Sequence, residues 1–166
     1  ILLNDDVVDA DVLRLNVIAE EYPNVILVQP ELKRVSLSLI CAKGMPCNRG
    51  VLADKKISVL ANSRMLELLD PGEFKSIQVD NELFSSVINM LKAERYFYAI
   101  YVVDEVIKKH FYQDFQIVEI KKISISHVIH KKHIALLPQI QDKIRNKLPD
   151  FNRKRLGNNN NLGQQP

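Results

Sequence analysis

Phe115 to Leu148 reads FQIVEIKKISISHVIHKKHIALLPQIQDKIRNKL, and its character changes midway. Ile123, Ile125 and His127 alternate with Ser124 and Ser126, and Val128-Ile129 extend the run, which predicts a strand. Leu137, Ile140, Ile144 and Leu148 then recur at helical spacing. Pro138 fits the first turn of that helix, where a missing N–H costs nothing, and Pro149 is expected to stop its other end. A segment that passes from strand period to helix period can carry the chain from one packed layer to another. Strands and helices alternate before it, so it is expected to be the return leg that ties two α/β lobes together.

The chain has 166 residues, 46% of them apolar, which suits one medium domain or two small lobes with a real core. A net charge of +3, spread evenly, gives no reason to expect nucleic acid as a partner. No apolar run reaches the roughly 18 residues of a membrane span. The chain opens at Ile1 without a methionine and reads as a fragment or processed form, so a missing export signal says nothing about compartment. Cys41 and Cys47 lie close together in CAKGMPCNRG. In an exported protein the pair can close a small disulfide loop, whereas in a cytosolic one two thiols near a turn would be unremarkable.

Taken in order, Val7–Leu15 is strand-like, Glu20–Pro23 is a polar turn, and Val25–Val28 is a compact strand ending before Pro30. Val35–Ala42 alternates as a second strand before the turn-rich GMPCNRG. Lys56–Leu60 is a strand, and Asn62 or Ser63 would cap a helix carrying Met65, Leu66, Leu68 and Leu69. Phe74–Val79 is a strand, Asp80 or Asn81 would cap the helix Glu82–Glu94, Tyr96–Val103 is strongly β-forming, and Asp104 begins a helix over Glu105–Phe111. This alternation argues for an α/β layer with a largely parallel sheet. The tail 151–166, ending in NNNNLGQQP, has a disordered composition.

The ordered series DADVLRL, YPNVILVQPEL, VSLSLICAKG, KISVLANSRMLELL, DNELFSSVINMLKAERYFYAIYVVDE and HKKHIALLPQIQDKI resembles the bacterial extracellular solute-binding proteins of family 3. Asp9-Ala10-Asp11 with Arg14, Tyr22-Pro23-Asn24, and His130 to Ile140 carry the likeness to the transporter-like periplasmic branch. The resemblance spans about Val7 to Leu148, and order and spacing carry it rather than any single motif. It implies a two-lobe periplasmic-binding-protein-like α/β fold (type II), with ligand held in the cleft. The family's opening strand-helix-strand has no counterpart here, so the first lobe would be incomplete. Residues 1–43 would hold the remainder of lobe 1 and the first hinge strand, 44–115 lobe 2, and 116–150 the second hinge strand and return helix. Two further departures are Ala61-Asn62, where relatives often carry Arg-Gly, and Phe97, where they often carry an acid.

Arg14 follows the DADVL strand, and its guanidinium would grip a ligand carboxylate, or pair with Asp9, Asp11 or Glu20. Asn62, Ser63 and Arg64 sit between a strand and a helix, where amides and the helix dipole favour an anion. A plain N-cap by Asn62 or Ser63 needs no ligand. Asp104 stands near where similar proteins place an acid facing a ligand amine, or simply caps the next helix. Tyr98 and Tyr101 would line the same cleft or pack in the core. His127, His130 and His133 are spaced so that neither helix nor strand brings all three to one metal. No Gly-rich phosphate loop, nucleophile elbow or paired acids around a histidine is present, so neither catalysis nor a cofactor is expected.

The expected function is non-enzymatic, periplasmic binding of a small polar solute, an amino acid or similar, for uptake or sensing. Lobe closure about hinge strands near Val35–Ala42 and Ile120–Val128 would bury the ligand, and a membrane transporter or sensor would be the partner. The alternative is an interaction or assembly scaffold on the same fold with a degraded cleft. An incomplete first lobe would expose sheet edge and favour self-association with a second copy.

Overall fold

The computed structural model describes residues 2–158 except 82 and 112, and side chains as far as Leu148. The chain divides into unit 1, Ile1–Arg34 with Ser124–Pro166, and unit 2, Val35–Ile123. The strands are β1 (Ala10–Leu15), β2 (Val25–Ala42), β3 (Ser58–Leu60), β4 (Ile77–Val79), β5 (Tyr98–Val103) and β6 (Phe115–His130). The helices are α1 (Ile18–Glu21), α2 (Gly50–Ala53), α3 (Ser63–Leu66), α4 (Phe84–Lys92), α5 (Glu105–Phe111) and α6 (Leu137–Asn158). Hydrogen-bonded neighbours follow the order β1-β6-β2-β5-β3-β4, and β2 and β6 contribute residues to both units. The fold is therefore mixed α/β.

Unit 2 is built on β3. It pairs in parallel with β4, Leu60 opposite Val79, and in parallel with β5, Leu60 opposite Ala99. Residues of β5 on both faces are buried, Ala99, Ile100 and Val103 completely, so this strand needs cover on both sides. One cover is α4, whose Val87, Ile88 and Leu91 recur at helical spacing and pack with Leu60, Ala99 and Val103. The expectation of a largely parallel sheet is corrected elsewhere: β2 pairs with β5 antiparallel, Ser36 opposite Val103, and β1 pairs with β6 antiparallel, Ala10 opposite Ile129. Strand periodicity is the same for both pairings, so the sequence pattern does not distinguish them.

Two prolines behave differently from expectation. β2 runs unbroken through Pro30, whose peptide bond with Gln29 is cis. On the β5 side, pairing covers Ser36 to Cys41, so no β5 residue asks for an N–H at Pro30; β6 is the other neighbour of β2. Helix α6 continues past Pro149 to Asn158, so residues 151–158 are helical, and 159–166 lie outside the described residues. The expected helix start at Glu82 also lies outside them. Two short helices were not expected: α1 runs into the predicted turn at Glu20, and α2 starts at the last residue of GMPCNRG; a 3₁₀ segment, Lys131–Leu136, links β6 to α6.

Unit 1 has a smaller core of Leu3, Val25 and Val128, with Ile18, Tyr22 and Leu27 packed against it. In unit 2, Lys108 is almost fully buried yet places its ammonium 2.9 Å from Glu105 and 3.2 Å from Glu119, which offsets the cost of burying the charge. Arg49 holds the α2 region by donating to the carbonyl of Ile120 and pairing with Glu73 at 3.4 Å. Beside it Cys41 and Cys47 are joined by a disulfide, their Cα atoms 5.8 Å apart. A loop this short removes little chain entropy, so reduction, or Cys47→Ser, is expected to lower stability by about 2 kcal/mol in denaturant titrations.

Candidate functional site

The C-terminal ends of β3, β4 and β5 share one edge of unit 2, because the three strands are parallel. The carboxyl edge of a parallel α/β sheet is where backbone and side-chain polar groups are left to meet a ligand. Asn62, Ser63 and Arg64 follow β3 at this edge. The Asn62 side chain caps α3, accepting from the amide of Met65 at 3.0 Å. Gln78 of β4 fixes the turn: its Nε2 donates to the carbonyl of Ala61 at 3.2 Å and to Ser63 Oγ at 3.3 Å. Arg64 is exposed.

Asp104 follows β5 at the same edge. It is 6% exposed, and its Oδ1 accepts from the amide of Ile107 at 2.7 Å, the bond of an N-cap to α5. Tyr101 is level with Asn62, two residues beyond the Leu60–Ala99 pair on each strand. Its ring lies 4.7 Å from that of Phe84, so it packs on the side covered by α4. Five of the six candidate residues, Asn62, Ser63, Arg64, Tyr101 and Asp104, thus stand at one edge of one unit. Sequence reasoning passed over Gln78; Asn81, expected as a possible helix cap, accepts from the amide of Leu83 at 3.2 Å and donates to Ser86 Oγ at 3.0 Å. Gln78 is a polar residue between Ile77 and Val79, a signal visible only once the three residues are known to be a strand.

Arg14, the sixth candidate, belongs to unit 1. It forms an ion pair with Asp11, and its Nε donates to Asp11 Oδ2 at 2.7 Å. Burial works against the charge on Asp11, but Arg14 and the amide of Val12 hold its carboxyl below the usual range.

The three motifs that carried the resemblance meet in unit 1. The amide of Lys131 donates to the carbonyl of Asn24 at 2.8 Å, and the amide of His130 donates to the carbonyl of Asp9 at 2.9 Å. Lys132 places its ammonium 2.5 Å from Asp6 and 2.8 Å from Asp9, and His133 Nε2 lies 2.8 Å from the same Asp9 oxygen. The three histidines serve different ends. His130 is buried, with Nδ1 accepting from the amide of Lys132 at 3.2 Å; His133 faces Asp9; His127 lines an apolar groove. Hydrogen bonds from Lys132 and His133 hold Asp9 at about 2, and Lys132 likewise lowers Asp6. The two aspartates in turn raise Lys132.

No protein-family model matches the sequence, and no curated protein matches it. Solved structures do. The solute receptor for L-cysteine of Neisseria gonorrhoeae has a TM-score of 0.68 at 16% identity, covering 99% of this chain and 71% of that one. The substrate-binding protein of an amino acid ABC transporter has a TM-score of 0.67 at 14% identity, covering 93% and 71%. The ancestral amino-acid-binding protein AncCDT-1, a precursor of cyclohexadienyl dehydratase, has a TM-score of 0.68 at 12% identity, covering 93% and 70%. At such identities the likeness defines the fold: this chain has the periplasmic-binding-protein-like fold of amino-acid solute-binding proteins. It spans about 70% of the length of each neighbour.

The cluster around Asp9 sets a pH window. Depressed carboxylates contribute stability that is complete above the ordinary carboxyl value of about 4 and is lost as pH falls through the folded value. For Asp9 that value is about 2. The raised Lys132 contributes below the ordinary lysine value and loses its contribution only as pH rises beyond it. The melting temperature is therefore expected to fall between about pH 4 and pH 2, and Lys132→Met to reduce that fall relative to the parent chain in scanning calorimetry.

Proposed function

We propose that the chain is a non-enzymatic binding domain for an amino acid or similar small polar solute, acting in uptake or sensing. The observation that carries this reading is the gathering of Asn62, Ser63, Arg64, Tyr101 and Asp104 at the carboxyl edge of β3 and β5. In that reading Ser63 and Arg64 meet the ligand's carboxylate, Asp104 its ammonium, and Tyr101 its body. The fold neighbours are named for binding L-cysteine and other amino acids, and one belongs to an ABC transporter, which supports solute binding with a membrane transporter as partner. The Cys41–Cys47 disulfide supports an oxidising, periplasmic location. Among the described residues no helix is long and apolar enough to cross a membrane. The division between units falls at Arg34/Val35 in β2 and Ile123/Ser124 in β6, near the stretches expected to act as hinges, which supports closure by bending there.

A second reading, an interaction scaffold, draws on a different observation. Asn62 caps α3, Asp104 caps α5, Tyr101 packs on Phe84, and Arg14 pairs with Asp11, so each has structural work without a ligand. The substitution Asp104→Ser separates the two, because serine caps a helix nearly as well as aspartate but carries no charge for an ammonium group. A thermal-shift screen against the common amino acids is expected to show a rise of roughly 5 °C or more with one of them at about hundredfold excess over Kd. Asp104→Ser should abolish that rise while leaving the unliganded melt within a few degrees. A flat screen with a cooperative melt would favour the scaffold instead.

A further inference from the structure

Unit 1 contains a groove of about 550 Å³. Leu13 of β1, Leu32 of β2 and Ile125 of β6 line it together with Leu148 of α6. Its sides are overwhelmingly apolar, and two lining residues of β1 are openly solvated: Val12 is 59% and Leu13 63% exposed. Leu13 is held there by its backbone. The β1–β6 register shifts between Asp11 and Arg14, and Leu13 adopts φ 58°, a conformation that leucine rarely takes. A bulge that presents two apolar side chains to water rather than to a core calls for an occupant.

Lys33, Lys147 and His127 border the groove, and among the described residues no carboxylate lines it. His127 is neutral at physiological pH, since burial lowers its pKa, and its Nδ1 makes no hydrogen bond among the described residues. Lys147 supplies the charge, from an exposed position on α6. Size distinguishes the candidate occupants. A two-turn α-helix, about 10 Å across and about 11 Å long, fills roughly 900 Å³ and would lie across the mouth rather than enter. An unbranched hydrocarbon chain with a small head fits within the range of about 300–1,000 Å³ usual for small-molecule sites.

We propose that this groove binds an amphipathic monoanion, a medium- or long-chain carboxylate, with its chain against Leu13, Leu32, Ile125 and Leu148 and its head at Lys147. The site is built wholly from unit 1 and does not depend on the amino-acid reading of the unit 2 edge. Binding at this groove would remove from water the apolar surface that the bulge exposes, and Lys147 would select the sign of the head group.

Isothermal titration of the full chain with dodecanoate tests this, with dodecyltrimethylammonium as a cation of equal chain length. The expected result is saturable single-site binding of dodecanoate with a negative heat-capacity change, and at least tenfold weaker binding of the cation. Leu13→Asn makes the groove polar while favouring the same positive φ, so it should fold normally and weaken dodecanoate about tenfold. Lys147→Glu, at an exposed position, should weaken dodecanoate by a similar factor and spare the cation. The proposal is overturned by an absence of saturable dodecanoate binding, by equal affinity for the cation, or by unchanged affinity in both variants. It is also overturned if dodecanoate fails to bind and sedimentation shows a dimer that Leu13→Asn dissolves, because a second copy would then cover the groove.

Discussion

The parallel pairing of β3 with β5 is the constraint on which the organisation of unit 2 depends. It places Leu60 against Ala99 in a position where both are fully buried, and burial on both faces of β5 requires helices to cover it. Covering it brings α4 across the sheet through Val87, Ile88 and Leu91. The same pairing sends the turn at Asn62 and the helix start at Asp104 to one edge. A polar edge beside a sealed apolar layer therefore follows from backbone direction, before any particular ligand is considered.

Unit 1 is held by other means. Its core is small, and the contacts joining its separated segments are largely polar. Backbone bonds from His130 and Lys131 reach Asp9 and Asn24, and Lys132 bridges two aspartates at the surface. Exposed ion pairs are individually weak, but here three are linked through Lys132 and Asp9 and stand beside the backbone bonds, which fixes one geometry. The stretch from His130 to His133 thereby acts as a clamp on the N-terminal segment. That role needs no metal, and His127, His130 and His133 face different surroundings.

The two candidate binding surfaces differ in kind. At the unit 2 edge Asn62, Ser63 and Asp104 already have structural work, so a ligand meeting them would have to share or displace internal bonds. In the unit 1 groove the lining is apolar and the charges stand at its border. The first suits a compact zwitterion recognised by directional hydrogen bonds. The second suits a molecule recognised by area and by the sign of one charge.

Much of this was legible in residue order. Asp104 before Glu105–Phe111 reads as a cap and is one, Val87 to Leu91 shows its buried stripe, and the strand character of Phe115–His130 follows from its alternation. Each of these depends on neighbours within a few positions, which is the range over which propensity and periodicity act. The ordered motifs also pointed to the two-lobe α/β fold. Only tertiary structure decided strand direction, because a period of two is shared by parallel and antiparallel ladders. It likewise decided that β2 passes through Pro30, since whether a missing N–H matters depends on the strand alongside, and that α6 continues past Pro149. The contacts of Lys132, the role of Gln78 and the groove beneath Leu13 all join residues from distant parts of the chain. No local pattern encodes such meetings; packing creates them.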